Sequence, residues 1–256
     1  MRKVKKFKLT SEFIVDISGV KLFRIKALIE FGNVKAGDLG GYIEKEENLS
    51  HMGNAWVSGN AQVSGDARVS GNARVSGDAQ VFGDARVSGN AQVSGNAQVS
   101  GDARVSGNAQ VFGDARVSGN ARVFGDAQVS GNAQVSGNAR VFGDAQVSGD
   151  ARVSGNAQVS GDARVSGNAQ VFGDARVSGD ARVSGDKDYA YAHGFGSCNR
   201  TTTFFRLKDG DVGVRCGCFY GTLAQFRDKV CETHGETKKA QEYLMLADLM
   251  EIRFKN

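Results

Sequence analysis

The chain has 256 residues, 40% of them apolar, no proline and a formal net charge of +4. No run of about 18 apolar residues occurs and no apolar stretch follows the basic start at Met1, which argues against a membrane span or a secretory signal and for a cytoplasmic setting. The net charge says little about partners, because residues 53–184 hold 11 Arg and 11 Asp with no Lys or Glu. The excess sits in the flanks, mostly at Arg2, Lys3, Lys5, Lys6 and Lys8.

Residues 1–52 are non-repetitive. Runs such as Lys6-Phe7-Lys8-Leu9 and Lys21-Leu22-Phe23-Arg24-Ile25 predict a strand pair, followed by a glycine-rich stretch. This segment is expected to cap what comes next.

Between Gly53 and Ser184 one six-residue unit, Gly-(Asn/Asp)-Ala-(Gln/Arg/Trp)-Val-(Ser/Phe), repeats 22 times without insertion or deletion. A period of six cannot settle on one face of an α-helix, but it fits a short strand plus a two-residue corner. Ala and Val, two apart, point inward; Gln or Arg between them points outward. Gly with Asn or Asp supplies the corner, since both tolerate positive φ. Three units close an 18-residue coil, with Val57, Val63 and Val69 inward in the first and Val75 stacked on Val57. The expected fold is an all-β solenoid, a left-handed parallel β-helix over residues 53–186. An open coil exposes unpaired backbone groups at each end, so covers are needed on both sides.

Residues 187–256 predict a small α+β unit: a hairpin from Thr201 to Leu207 and Val212 to Cys218, then two helices. Thr222 and Gln225 form a capping box, with Gly235 as the stop. A second helix, about Lys238 to Ile252, carries Ala240, Tyr243, Leu244 and Ala247 on one stripe.

The segment Phe31-Gly-Asn-Val-Lys-Ala-Gly-Asp-Leu-Gly-Gly-Tyr-Ile-Glu-Lys-Glu-Glu-Asn-Leu-Ser50, running into Gly-Asn-Ala-Trp-Val, resembles the start of the YdcK-like hexapeptide-repeat proteins of bacteria and their prophages. The run Cys216-Gly-Cys-Phe-Tyr-Gly-Thr-Leu-Ala-Gln-Phe226 with Thr233-His-Gly235 is similar to the tail of phage-borne members. The resemblance implies a left-handed β-helix, a bacterial host and an acyltransferase label, without a substrate. That label follows from the repeat, which speaks for fold rather than function.

An acyl-CoA-dependent acyltransferase needs a general base, and only three histidines exist: His51, His193 and His234, all outside the repeats. His51 and His193, beside the first and last coils, are the candidate bases; packing of the caps is the other role open to them. A different feature emerges when units are stacked at intervals of 18. One column reads Arg68, Arg86, Arg104, Arg122, Arg140, Gln158, Arg176, with Phe124 and Phe142 beside Arg122 and Arg140. Aligned arginines with nearby aromatics suit an anionic polymer. Asp66, Asp84, Asp102 and Asp174, each two residues before its own arginine, offer local neutralisation instead. A second column, Asn54, Asn72, Asn90, Asn108, Asp126, Asp144, Asp162, Asp180, predicts amide bonding from coil to coil. Cys198, Cys216, Cys218 and Cys231, with His234, form a zinc candidate of irregular spacing, and Cys231 after Val230 reads as a buried thiol.

The sequence therefore favours a non-catalytic scaffold or binding module without a cofactor, contacting a protein or anionic polymer through its polar faces or C-terminal unit. An acyl-CoA-dependent acyltransferase is the alternative. A monomer or a homotrimer fits either.

Overall fold

The computed structural model describes residues 5–196 and 200–255. The chain opens with β1 (Phe7–Val15), β2 (Lys21–Ala27) and β3 (Leu39–Ile43). Twenty-two two-residue strands follow every six residues, β4 to β25, from Trp56–Val57 to Arg182–Val183. Then come β26 (Tyr189–Phe195), β27 (Arg200–Arg206), β28 (Val212–Cys216), β29 (Phe219–Thr222), α1 (Leu223–His234) and α2 (Lys238–Phe254).

The 22 short strands fall into three parallel sheets in which every residue pairs with the one 18 positions on, as Val57 with Val75, Gln62 with Gln80 and Arg104 with Arg122. The most populated face has eight rungs, giving a parallel β-solenoid of about eight turns. Every Ala and Val of the units, from Ala55 to Val183, is buried and forms one continuous core. Corner glycines such as Gly107 (φ +71°) lie in the left-handed region, and from Gly53 to Gly161 each sits directly on the glycine of the next coil.

The N–H groups of the Gln or Arg, of the Ser or Phe and of most corner Asn or Asp donate to a carbonyl one coil ahead, as Arg104 N to Ala121 O (2.9 Å), Ser106 N to Val123 O (3.0 Å) and Asn108 N to Gly125 O (2.8 Å), while alanine N–H groups such as Ala103 N turn back to Ser100 O (3.4 Å) in their own coil. These forward bonds all run the same way and give the ladder a polarity: the carbonyls that would accept them are left without array partners in the first coil, and the N–H groups that would donate them are left so in the last. The two caps match it chemically. At the N-terminal end, donors arrive. Tyr42 N and Glu44 N reach Ala61 O and Val63 O, Ser50 N reaches Val69 O, and the fully buried Asn48 amide donates to Gly65 O (3.0 Å) and Ala67 O (2.9 Å). The third face receives the ammonium of Lys6, 1% exposed, which donates to Ala55 O (2.7 Å) and Gly53 O (3.3 Å). Burial pulls its pKa down to about 8.

At the C-terminal end, acceptors arrive. Asp186 Oδ1 takes Gln170 N, Thr203 Oγ1 takes Arg176 N (2.9 Å), and Asp188 Oδ2 takes Ser184 N and Gly185 N. Strand β27 seals this end with alternate residues: Phe205 joins the solenoid core, while Phe204 faces a separate core under α1 and α2 with Phe226, Tyr243 and Ala247.

The N-terminal strands do more than lie across the opening. The antiparallel pair β1–β2 and then β3 extend one face into a ten-stranded sheet, so the sheet runs on across the change of composition at residue 53. Gly40 and Gly41 permit this: a Cβ there would lie 2.6 Å from Val57 O and 2.5 Å from Ala61 O. The predicted hairpin, capping box and second helix of the C-terminal unit are present, with α2 continuing to Phe254. No helix among the described residues is long and apolar enough to cross a membrane.

Candidate binding face

The arginine column occupies a flat face of the solenoid. Arg68, Arg86, Arg104, Arg122 and Arg140 are paired in register, followed by Gln158 and Arg176, and all six arginines are exposed. The strand spacing of about 4.8 Å sets the interval between guanidinium groups. Among the described residues none of these six arginines has a carboxylate within ion-pairing distance, so the preceding aspartates do not pair with them. Asp66 instead meets Lys45 (2.8 Å), whose ammonium holds its pKa below the usual carboxylate range. Asp174 accepts from Asn156 (2.9 Å).

Phe124 and Phe142 lie parallel, 5.0 Å between centroids and 1° between planes, next in line to the inward Val123 and Val141. Arg122 and Arg140 are preceded by Asn120 and Asn138 rather than by Asp, which leaves the middle of the column its most cationic part. The other array phenylalanines, Phe82, Phe112 and Phe172, are exposed and form no stripe, Phe172 meeting Tyr191 edge-on at 5.6 Å.

The predicted amide ladder is present, and its direction explains the order of residues. Asn72 Nδ2 donates to Asn90 (3.1 Å), Asn90 to Asn108 (3.0 Å) and Asn108 to Asp126 (2.9 Å). Likewise Asn60 donates to Asp78, Asn96 to Asp114 and Asn132 to Asp150. Each of these bonds runs from one coil to the next towards the C-terminus. A carboxylate accepts but cannot donate onward, so an Asp ends each run.

The candidate bases sit at opposite ends. His51 stacks on Phe7 (4.4 Å), and its Nδ1 accepts from Lys6 N (3.2 Å) while Nε2 is enclosed, 3.7 Å from Glu46. His193 is exposed, with Nδ1 2.8 Å from Thr201 Oγ1 across β26 and β27. Cys216, Cys218 and His234 line one cleft of about 230 Å³ with Arg200, Lys229 and Tyr243. Thr202 Oγ1 donates to Cys216 Sγ at 3.2 Å. Cys231 corrects the sequence reading. It is exposed, because one residue beyond buried Val230 is a turn of about 100° away from the apolar stripe. Cys198 lies outside the described residues. Among the described residues no group of three or more His, Cys, Asp or Glu could hold a metal ion.

Two features escaped sequence reasoning: the buried Lys6 and Asn48 that cap the first coil, and a cleft beside Trp56. Both depend on where the irregular N-terminal segment crosses the regular array, which periodicity cannot supply. Asn48 and Lys6 carry no local signal that distinguishes them from surface residues.

No curated protein matches the sequence. The YdcK β-solenoid repeat family matches at residues 67–79, 79–95, 97–113, 109–123, 115–131, 133–145, 145–161, 157–173 and 169–185. With these matches laid over the observed coils, the chain is a YdcK-like β-solenoid repeat protein.

Proposed function

We propose that the protein is a non-catalytic binding module whose arginine-bearing face holds an anionic polymer. The observation that supports it is the in-register column of six exposed arginines without ion-pair partners among the described residues, alongside the stacked pair Phe124–Phe142. Like charges held this close cost stability unless screened, and a polyanion would supply that screening continuously. Acyl transfer draws less support, since His51 is engaged in the N-terminal cap and His193 with Thr201.

The test is a salt titration of binding to a labelled single-stranded oligonucleotide and to a labelled heparin fragment. Affinity should fall steeply with salt, and replacing Arg104, Arg122 and Arg140 by Gln should lower the oligonucleotide slope by about 2. The same number of substitutions at Arg116, Arg152 and Arg164, on other faces, should change it less. Absent binding of either polymer at low salt, or equal loss from both triples, would refute the proposal. Saturable binding of coenzyme A in calorimetry, abolished by His51→Ala or His193→Ala, would favour acyl transfer.

A further inference from the structure

A second cleft, of about 510 Å³, lies on a different face, where the segment between β2 and β3 leans over the first coils. Its size falls in the range of small-molecule sites. Asn33 and Asp38 come from the overhanging segment, and Asn54, Trp56, Arg74 and Gln92 from the array. The overhang is held in shape. Phe31 and Val34 exchange backbone hydrogen bonds (3.0 and 2.9 Å) around Gly32-Asn33, Asp38 Oδ2 accepts Lys35 N (2.8 Å), and Gly37 N reaches Ala27 O (2.9 Å). Phe31 packs edge-on against Trp56 at 5.4 Å.

Two side chains of this cleft, Trp56 and Arg74, have no polar partner among the described residues. Trp56 is buried to 7% exposure, and its indole N–H has no hydrogen-bond partner among the described residues, yet it is not enclosed. Trp56 is one of the residues lining the cleft. Arg74 is exposed and has no ion pair among the described residues, and its unit carries Asn72 in place of Asp. One cation and one carboxylate leave the cleft without net charge, and the remaining polar side chains are the amides of Asn33, Asn54 and Gln92, the hydroxyls of Ser58 and Ser76 and the Trp56 indole. Below Gln92 the column continues with Gln110, Gln128 and Gln146 in register.

We infer that this cleft binds the end of an uncharged oligosaccharide, with the chain continuing along the glutamine column. Neighbouring hydroxyls of a sugar act as donor and acceptor together, and they need partners of both kinds, which carboxylate, guanidinium, indole N–H and amides provide. The interval of about 4.8 Å between rungs is close to the length of one pyranose unit, so successive sugars meet successive amides. A purely anionic ligand would meet Asp38 at the lip. This assignment stands apart from the arginine face and does not rest on it.

Trp56 is the chain's sole tryptophan, so its indole N–H gives a single reporter in ¹⁵N-correlated spectra of the full chain. Maltotetraose, cellotetraose and tetra-N-acetylchitotetraose are each titrated to millimolar concentration. At least one should move the indole resonance saturably, and Arg74→Ala or Gln92→Ala should each weaken that binding about tenfold or more. Both side chains point outward from the array, so melting temperatures should stay within a few degrees of the parent. Arg152→Ala, on another face, should leave the titration unchanged. The inference is overturned if no neutral sugar moves the resonance, if only a polyphosphate or uronate oligomer moves it, or if the shift persists in both variants.

Discussion

Replacing Gly107 by alanine puts a methyl group where the next coil already is. The new Cβ would lie 2.9 Å from Gly125 N, 3.0 Å from Gly125 O and 3.3 Å from Gly125 Cα, all backbone atoms that cannot rotate away. Gly107 also has φ +71°, which costs an L-residue roughly 1–2 kcal/mol. Gly125 O accepts the ladder bond from Asn108 N at 2.8 Å, and moving it aside weakens a bond worth about 1 kcal/mol. The expected loss is therefore about 2–3 kcal/mol. Gly19 supplies the comparison: φ is +82° but nothing lies within 4 Å of its would-be Cβ, so Gly19→Ala should cost only the conformational part, roughly 1–2 kcal/mol. Urea denaturation followed by far-ultraviolet circular dichroism measures both. If Gly107→Ala costs no more than Gly19→Ala, contact between stacked corners is not what demands glycine there.

Val105, fully buried at mid-array, should tolerate Asp badly. Val105→Asp is expected to cost more than about 4 kcal/mol and to split the single melting transition, whereas retained two-state melting would count against the inward assignment. Asn48→Ala removes donors from Gly65 O and Ala67 O and the acceptor of Lys45 N, and should cost about 2–4 kcal/mol in urea denaturation. Lys6 has a pKa of about 8 when folded against 10.5 ordinarily, so between these values the folded chain releases a proton that the unfolded chain keeps. Stability should therefore rise with pH across that window, by up to about 3 kcal/mol, and Lys6→Met should remove that rise when urea midpoints at pH 7.5 and pH 10 are compared. Thr203→Val strips the acceptor from Arg176 N and should lower stability by about 1–2 kcal/mol, with Thr203→Ser largely restoring it.

The array was legible because its physics is periodic. Alternation placed Ala and Val inside, glycine marked the corners, and 18-residue stacking brought Phe124 over Phe142 and Asn72 over Asn90. The caps were legible only as elements. The strand pair, the hairpin and the Thr222 box follow local patterns, but the partners of Lys6, Asn48 and Thr203 lie 17 to 49 positions away and no local rule names them. The arginine column could be listed from the sequence. What could not be foreseen is that two of its aspartate neighbours, Asp66 and Asp174, would turn to Lys45 and to Asn156 rather than to arginine. Cys231 was misread because apolar neighbours in sequence are not neighbours on a helix face.

The proposed binding face depends on the alignment of the arginines and not on their number. A variant of unchanged composition isolates it: Arg104→Gln and Arg122→Gln interrupt the column, while Gln80→Arg and Gln128→Arg return the same charges to the other two faces. Affinity for a labelled heparin fragment at fixed salt should fall about tenfold or more in this rearranged protein. An affinity equal to that of the parent would mean that charge alone, wherever it sits on the solenoid, holds the polymer.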